Sequence, residues 1–200
     1  VTPIIQAQAI QPLHHSAMKH AAAPRRELGL RTIFNMLGPM TNPAGVKRQL
    51  IGVFDPGLCR PMVEVLKRLG SEHVMVVHAH DGLDEISIAG PTHVAELRDG
   101  TIAEYEISPT DFGRSLGSLE GLVVGSSEES VRLVKAALRG EHEDAANMVT
   151  VNAGAAIYVS GLAATLADGM QMAEDSIASG AAAQKVEELV QFTELAAAAQ

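Results

Sequence analysis

A strand–helix–strand pattern in the first half of the chain constrains its fold more than any other feature. The apolar run at residues 49–54 ends at the turn Asp55-Pro56-Gly57 and is typical of a buried strand. The amphipathic stretch 58–69 stops at Gly70, which predicts a helix with a glycine at its carboxyl end. A second apolar run at 73–78 predicts another buried strand. Two strands joined by a helix at this spacing predict a parallel βαβ unit.

The rest of the chain predicts further strands and then helices. Segments 92–97 and 101–107 flank Asp99-Gly100, which predicts a hairpin, and the apolar segment 86–88 is grouped with these strands. Helices are predicted at 14–23 and 26–36, after Ser126 up to 138, and at 144–159, 165–179 and 183–195, with an ordered loop at 37–46. The predicted fold class is α/β, with a mixed, largely parallel sheet flanked by helices.

Composition and charge exclude several classes of protein. The net charge of −9 argues against general nucleic-acid binding, which needs a basic face. Tryptophan is absent and aromatic residues make up 3%, so stacking platforms for single strands are not evident. A lone cysteine, Cys59, fits a reducing compartment and is interpreted as a helix residue. No run of 18 apolar residues and no signal-peptide pattern occurs in the sequence, so we expect a cytoplasmic protein without a membrane partner.

Two adjacent carboxylates, Asp84 and Glu85, follow the second predicted strand. Ligands of open α/β sheets lie at the carboxyl ends of strands, and Mg²⁺ prefers one or two carboxylates together with waters and phosphate oxygens. The pair is therefore a candidate magnesium site. The alternative is two solvated loop acids, and the residues alone leave both interpretations open.

Arg25 and Arg26 lie beside a proline and a glycine-rich segment. A guanidinium group can grip an organic carboxylate through two parallel hydrogen bonds, although both arginines could equally be surface charges beside Glu27. Leu37 to Pro43 carries no acid–base group. Its glycine and two prolines favour a rigid loop, which could be a wall of a substrate entrance or a simple connector.

The remaining candidate motifs have structural explanations. His14-His15 lacks a third ligand at metal spacing, and His73, His78 and His80 flank or end a strand, where hydrogen-bonded polar ends are expected. Ser126 opens a helix and is interpreted as its cap. The sequence contains neither a glycine-rich phosphate loop nor a Gly-x-Ser-x-Gly elbow.

Taken together, these segments resemble the anthranilate phosphoribosyltransferase family. The resemblance extends from about residue 14 to about 195, and the stretch 25–44 is its most specific part. It rests on His-His-Ser-Ala-Met-Lys at 14–19, Arg-Arg-Glu-Leu-Gly at 25–29, Arg-Thr-Ile-Phe-Asn-Met-Leu-Gly-Pro-Met-Thr-Asn-Pro-Ala at 31–44, Gln-Leu-Ile-Gly-Val-Phe at 49–54, Gly-Leu-Asp-Glu-Ile-Ser at 82–87 and Asn-Ala-Gly-Ala-Ala at 152–156.

The resemblance implies a reaction and a site. It implies transfer of a phosphoribosyl group from 5-phosphoribosyl 1-diphosphate to anthranilate, in tryptophan synthesis, with Mg²⁺ as cofactor. Asp84 and Glu85 then match the metal-binding pair, Arg25 matches the arginine that contacts anthranilate, and Pro39 matches the wall of the anthranilate channel. It also implies part of a small helical subdomain at 14–46, an α/β domain at 47–200, an unassigned lead-in at 1–13, and a homodimer for the complete enzyme.

Some motifs of the family do not occur in these 200 residues. They are the diphosphate loop Gly-Thr-Gly-Gly-Asp, the Asn-x-Ser-Thr segment and the Lys-His-Gly-Asn-Arg segment. We therefore expect that the 200 residues alone do not turn over substrate. Two other functions stay open: a pyrimidine nucleoside phosphorylase-like enzyme with another acceptor, and a non-catalytic binding protein of the same fold.

Overall fold

The structure, a computed structural model, describes Met40 and residues 45–198, with side chains up to 195. The described residues form two compact units. The first takes residues up to Glu85 together with Thr92–Glu106, and the second takes Ile86–Pro91 and the residues from Ile107 onward. Within the described part of the chain, no helix combines the length and the apolar character that crossing a membrane requires.

The element order agrees with the pattern read from the sequence. The strands are β1 (Arg48–Gly52), β2 (His73–Ala79), β3 (Thr92–Arg98) and β4 (Thr101–Ile107). The α-helices are α1 (Cys59–Arg68), α2 (Ser127–Leu138), α3 (Glu143–Ser160), α4 (Leu166–Ala178) and α5 (Ala181–Ala198), and short 3₁₀ turns lie at Pro56–Leu58, Pro109–Phe112 and Glu120–Leu122. The helices predicted at 14–23 and 26–36 lie outside the described residues.

The four strands form one mixed sheet in the order β1-β2-β3-β4. β1 runs parallel to β2, which confirms the βαβ unit, and β2 runs antiparallel to β3. Asp99 and Gly100 both adopt positive φ, as a tight two-residue hairpin between β3 and β4 requires. The mixed sheet is as predicted, but among the described strands only the β1–β2 pair is parallel, fewer pairs than the sequence suggests.

The core of the first unit lies between α1 and one face of the sheet. Alternation along each strand directs every second side chain to this face, while α1 contributes one apolar stripe. The core residues are Ile51, Val53, Cys59, Met62, Val63, Leu66, Val74, Val76, Ala95 and Leu97. Met40 also packs against this core and is helical, although 37–46 is predicted as a loop. The loop prediction is therefore wrong at Met40.

The second unit is largely helical. Side chains cap three of its helices: Ser126 accepts a hydrogen bond from the Glu129 amide, and His142 and Thr165 cap α3 and α4 in the same way. The backbones of α3 and α4 approach closely at two glycines. A Cβ built at Gly154 would lie 2.6 Å from the Cα of Met170, and one built at Gly169 would overlap the carbonyl of Gly154.

Segment 86–88 is buried but is not a strand. The backbone amide and carbonyl of Ile86 both bond the side chain of Asn152, and the Ile88 carbonyl accepts a hydrogen bond from the Gly117 amide. The grouping of this segment with the strands is therefore wrong. Its apolar side chains predicted burial correctly, but its backbone partners are a side chain and a loop instead of a neighbouring strand.

Candidate functional site

The acidic pair follows a tight turn at the carboxyl end of β2. The Ala79 amide donates to the carbonyl of Leu83 at 2.9 Å, and the Gly82 amide donates to the carbonyl of Ala79 at 2.9 Å. Gly82 has a φ of 93°, which favours glycine and lets the chain reverse there. The turn places Asp84 and Glu85 at the end of the parallel β1–β2 pair, where open α/β sheets bind ligands.

Backbone contacts fix this end of the sheet. Beyond β1, the Val53 amide still donates to the Val77 carbonyl at 3.0 Å, and Nδ1 of His78 donates to the Val53 carbonyl at 2.8 Å. The carbonyl group of Asp84 lies directly against Gly52, the last residue of β1. A Cβ built at Gly52 would lie 2.5 Å from that carbonyl carbon and still closer to its oxygen.

The electrostatics of the pair fit a cation. Partial removal of the Glu85 carboxyl from water raises its pKa, and the negative charge of Asp84 raises it further. Among the described residues, no lysine, arginine or histidine forms an ion pair with Asp84 or Glu85. Within the described residues, the two adjacent carboxylates thus have no cationic partner, and a divalent ion would neutralise their charge.

The protein alone supplies few metal ligands. The part of the chain that the structure describes holds no group of three or more histidine, cysteine or acidic side chains that could enclose a metal ion. This donor set suits Mg²⁺, which usually keeps several waters and takes one or two carboxylates plus phosphate oxygens from a substrate. It does not suit a structural zinc ion, which needs four protein ligands.

In the second unit, Asn152 on α3 holds the residue that follows Glu85 in the chain. Its Oδ1 accepts from the Ile86 amide at 2.9 Å, and its Nδ2 donates to the Ile86 carbonyl at 2.9 Å and to the Met148 carbonyl at 3.1 Å. Ile86 is 3% exposed, so its backbone groups depend on this side chain for hydrogen bonds. Asn152 belongs to the motif at 152–156, but its contact with Ile86 joins residues 66 positions apart and leaves no local signal in the sequence.

His73, His78 and His80 flank or end β2 and have polar partners, as predicted. The buried Nε2 of His73 lies 2.8 Å from a carboxylate oxygen of Glu96, whose other oxygen accepts from the hydroxyl of Tyr105 at 2.7 Å. His78 donates to a backbone carbonyl, and Nε2 of His80 lies 2.7 Å from a carboxylate oxygen of Glu106. These contacts give the three histidines structural roles.

The other positions singled out from the sequence either have structural roles or lie outside the described residues. Cys59 is a buried residue of α1, as predicted, and burial raises the pKa of its thiol to about 11, so it is not a nucleophile at neutral pH. Ser126 is a helix cap. Arg25 and Pro39, the predicted anthranilate contacts, lie outside the described residues, as do His14 and His15. Of the predicted site residues, Asp84 and Glu85 are described, and they follow the carboxyl end of β2.

Comparison with known proteins places the chain in a family. Residues 7–183 match the family model described as "Glycosyl transferase family, a/b domain". A curated relative from Teredinibacter turnerae, named anthranilate phosphoribosyltransferase, is 61% identical over 91% of this chain and 54% of its own length. One from Saccharophagus degradans with the same name is 63% identical over 92% of this chain and 55% of its own length. The chain thus spans about half the length of the curated relatives it matches.

Solved structures agree in fold. Anthranilate phosphoribosyltransferase from Thermus thermophilus has a TM-score of 0.81 and 38% identity, covering 91% of this chain and 54% of that one. The Saccharomyces cerevisiae enzyme in complex with PRPP and Mg has a TM-score of 0.75 and 28% identity, covering 88% of this chain and 51% of that one. The resemblance seen in the sequence motifs is confirmed. The chain belongs to the glycosyl transferase family with this α/β domain, and its curated relatives in that family are anthranilate phosphoribosyltransferases.

Proposed function

We propose that this chain supplies the acceptor-binding and metal-binding part of an anthranilate phosphoribosyltransferase. The reaction transfers the phosphoribosyl group of 5-phosphoribosyl 1-diphosphate to the amine of anthranilate and releases diphosphate and N-(5-phosphoribosyl)anthranilate. One observation carries the proposal. An acidic pair without a basic partner among the described residues stands at the end of a parallel strand pair, in a chain 61% identical to a relative of that name.

Asp84 and Glu85 would hold Mg²⁺ in the proposed enzyme. The charge and the ligand count of the pair support this assignment, and a solved relative is described as having Mg bound. When bound, the ion stabilises the negative charge that develops on the departing diphosphate. The two carboxylates of this chain would hold the ion at the end of β2, and they would not need to transfer a proton.

Arg25 and Pro39 would bind the acceptor. A guanidinium group fits the planar carboxylate of anthranilate through paired hydrogen bonds, and a proline-containing loop would form a rigid wall beside the ring. This part of the proposal rests on the motif at 25–44 alone. Because no general acid or base is proposed, catalysis would come from holding the amine near the anomeric carbon and from neutralising the leaving group.

The organisation of the protein is proposed on the same resemblance. Residues 14–46 would contribute to a small helical subdomain and 47–200 to the α/β domain, with 1–13 assigned to neither. The complete enzyme would be a cytoplasmic homodimer, with small molecules and no nucleic acid as its ligands.

The test uses a fused enzyme, in which this chain is joined to the part of the Teredinibacter turnerae relative that it does not span. Loss of anthranilate fluorescence after addition of 5-phosphoribosyl 1-diphosphate and Mg²⁺ measures turnover. We expect turnover by the fused enzyme, none by the 200 residues alone, and a changed Mg²⁺ dependence when Asp84→Asn and Glu85→Gln are combined. A fused enzyme that folds but ignores anthranilate, or an unaltered response to Mg²⁺, would contradict the proposal.

A further inference from the structure

The absence of a side chain at Gly52 has a specific consequence for the acidic pair. Gly52 is the last residue of β1, and the carbonyl of Asp84 occupies the space in which a Cβ would lie. A Cβ there would also lie 3.2 Å from the Asp84 Cα. Since the atoms that would be met are backbone, no rotamer change could relieve the overlap, and the acidic segment itself would have to move.

The backbone conformation of Gly52 does not explain the glycine. Its φ is not among the positive values found at other glycines of the described chain, so an L-amino acid could adopt the same backbone. Glycine in a strand normally weakens the strand, and it often marks a place where another backbone approaches closely. The close approach of Asp84 is that feature here.

The segment has little freedom to move elsewhere. On its amino side, Leu83 is fixed because its carbonyl accepts from Ala79 and its amide donates to the side chain of Asp81 at 3.2 Å. Beneath it, the hydrogen bonds of Val53 with Val77 and His78 hold the end of β1 against β2. A side chain at Gly52 would therefore displace the Asp84 backbone away from the end of the sheet, and both carboxylates would move with it.

Building on the proposed function, we infer that Gly52 is a positioning residue for divalent-metal binding. Its missing side chain lets the Asp84 carbonyl rest on the end of β1, and this contact sets where the Asp84 and Glu85 carboxylates meet the ion. Residues that orient metal ligands without touching the metal typically change affinity by about 10–100-fold when they are altered.

The direct test is Gly52→Ala, with Gly90→Ala as the matched control. No described atom lies within 4 Å of a Cβ built at Gly90, and its φ is not positive, so alanine fits there. Mn²⁺ binding to the 200-residue chain is followed by the electron paramagnetic resonance signal of the free ion. We expect Gly52→Ala to weaken Mn²⁺ binding by about tenfold or more, at unchanged far-ultraviolet circular dichroism, and Gly90→Ala to bind as the parent does.

A second variant covers the case in which Gly52→Ala does not fold. Inserting one glycine between Leu83 and Asp84 should shift the Asp84 carbonyl away from Gly52 without adding a side chain to the sheet. We expect it to weaken Mn²⁺ binding to the same extent. In the fused enzyme, either change should raise the Mg²⁺ concentration needed for half-maximal activity while the KM for anthranilate stays constant. If Gly52 only supported the fold, the Mg²⁺ requirement and the KM for anthranilate should change together.

The outcomes distinguish this inference from the function on which it rests. If the parent chain loses Mn²⁺ binding through Asp84→Asn with Glu85→Gln, but Gly52→Ala or the insertion binds Mn²⁺ as tightly as the parent, the positioning role of Gly52 is overturned and the metal site stands. If the double variant binds Mn²⁺ as tightly as the parent, and its fused enzyme needs no more Mg²⁺ for half-maximal activity than the parent fused enzyme, the metal site itself is overturned, and the positioning role with it.

Discussion

The raised pKa of Glu85 predicts that its negative charge lowers the stability of the fold. Its pKa lies above the ordinary value of 4.5, because partial removal of the carboxyl from water and the charge of Asp84 favour the protonated form, although the residue as a whole is exposed. The folded state therefore binds more protons than the unfolded state between the ordinary and the raised pKa. Stability falls as the pH rises through that interval, and it stays lower above it.

The change Glu85→Gln removes this charge and should stabilise the chain at neutral pH. Urea unfolding followed by circular dichroism should give a higher midpoint for the variant at neutral pH, and the difference should vanish well below pH 4.5. Glu128→Gln is the control of opposite sign, because hydrogen bonds from its own backbone and from two serines lower the pKa of Glu128. Equal midpoints for the parent and Glu85→Gln at neutral pH would contradict the prediction that the charge of Glu85 lowers the stability of the fold.

Arg25 is the residue on which acceptor recognition depends in the proposed enzyme. Hydrogen bonds to a charged partner contribute about 1.5–3 kcal/mol, so Arg25→Ala should raise the KM for anthranilate in the fused enzyme by about 10–100-fold. The KM for 5-phosphoribosyl 1-diphosphate should change much less. Arg26→Ala provides the neighbouring control, and equal losses for both substrates in Arg25→Ala would undermine its role.

Individual residues show how far the sequence could predict the site. Asp84 and Glu85 are candidates from the sequence because two adjacent acids after an apolar strand form a local pattern, and their role in metal binding is implied by the resemblance and stays a prediction. The contact of Gly52 with Asp84 joins residues 32 positions apart in the printed sequence. The bond of His73 to Glu96 likewise depends on the pairing of β2 with β3. Local patterns cannot predict such partners, because they depend on the register.

Segment 86–88 depends on a single side chain of α3. Asn152→Ala would leave the buried amide and carbonyl of Ile86 without their partners, and each unpaired group costs about 1–3 kcal/mol. We expect the free energy of unfolding to fall by about 2–4 kcal/mol in urea titrations. Asn147→Ala on the same helix is the control, because Asn147 accepts one bond from the half-buried side chain of Arg114 and should matter less. A similar, small effect of both changes would mean that Ile86 finds other partners.

The α3–α4 contact reverses the usual effect of replacing a helical glycine. Alanine favours a helix by about 1 kcal/mol over glycine, but at Gly154 its Cβ would overlap backbone atoms of Met170. Overpacking costs about 1–3 kcal/mol, so Gly154→Ala should lower the thermal midpoint. Ala153→Gly calibrates the propensity term, and a rise in the midpoint for Gly154→Ala would show that the helices separate without cost.

Some elements can be predicted from local sequence patterns, and others depend on how distant parts of the chain pack together. β1, α1, β2 and the hairpin were predicted because their apolar periods and turn residues are local signals. The cap of α2, Ser126, is predictable for the same reason, whereas the Thr165 cap of α4 is seen in the structure. Segment 86–88 was assigned wrongly, since burial alone does not distinguish a strand from an extended chain that a side chain holds.

The net charge of the entire chain distinguishes the enzyme hypothesis from the hypothesis of a nucleic-acid-binding homologue. With a net charge of −9, the chain should pass through a heparin column at neutral pH and moderate salt. A basic marker protein loaded at the same salt serves as the control. Retention that requires high salt for elution would favour the non-catalytic binding protein that the sequence left open.

The lone cysteine makes the opening of the first unit measurable without engineering. Cys59 is the single thiol of the 200 residues, its side chain has no exposed surface, and its pKa is raised to about 11. A thiol reagent at neutral pH should therefore react with Cys59 only when local unfolding exposes it. The labelling rate then reports how often the packing of α1 on the sheet opens. Repeating the measurement with Mn²⁺ present would show whether an ion at the acidic pair slows the labelling of Cys59 and so stabilises the packing of α1 on the sheet.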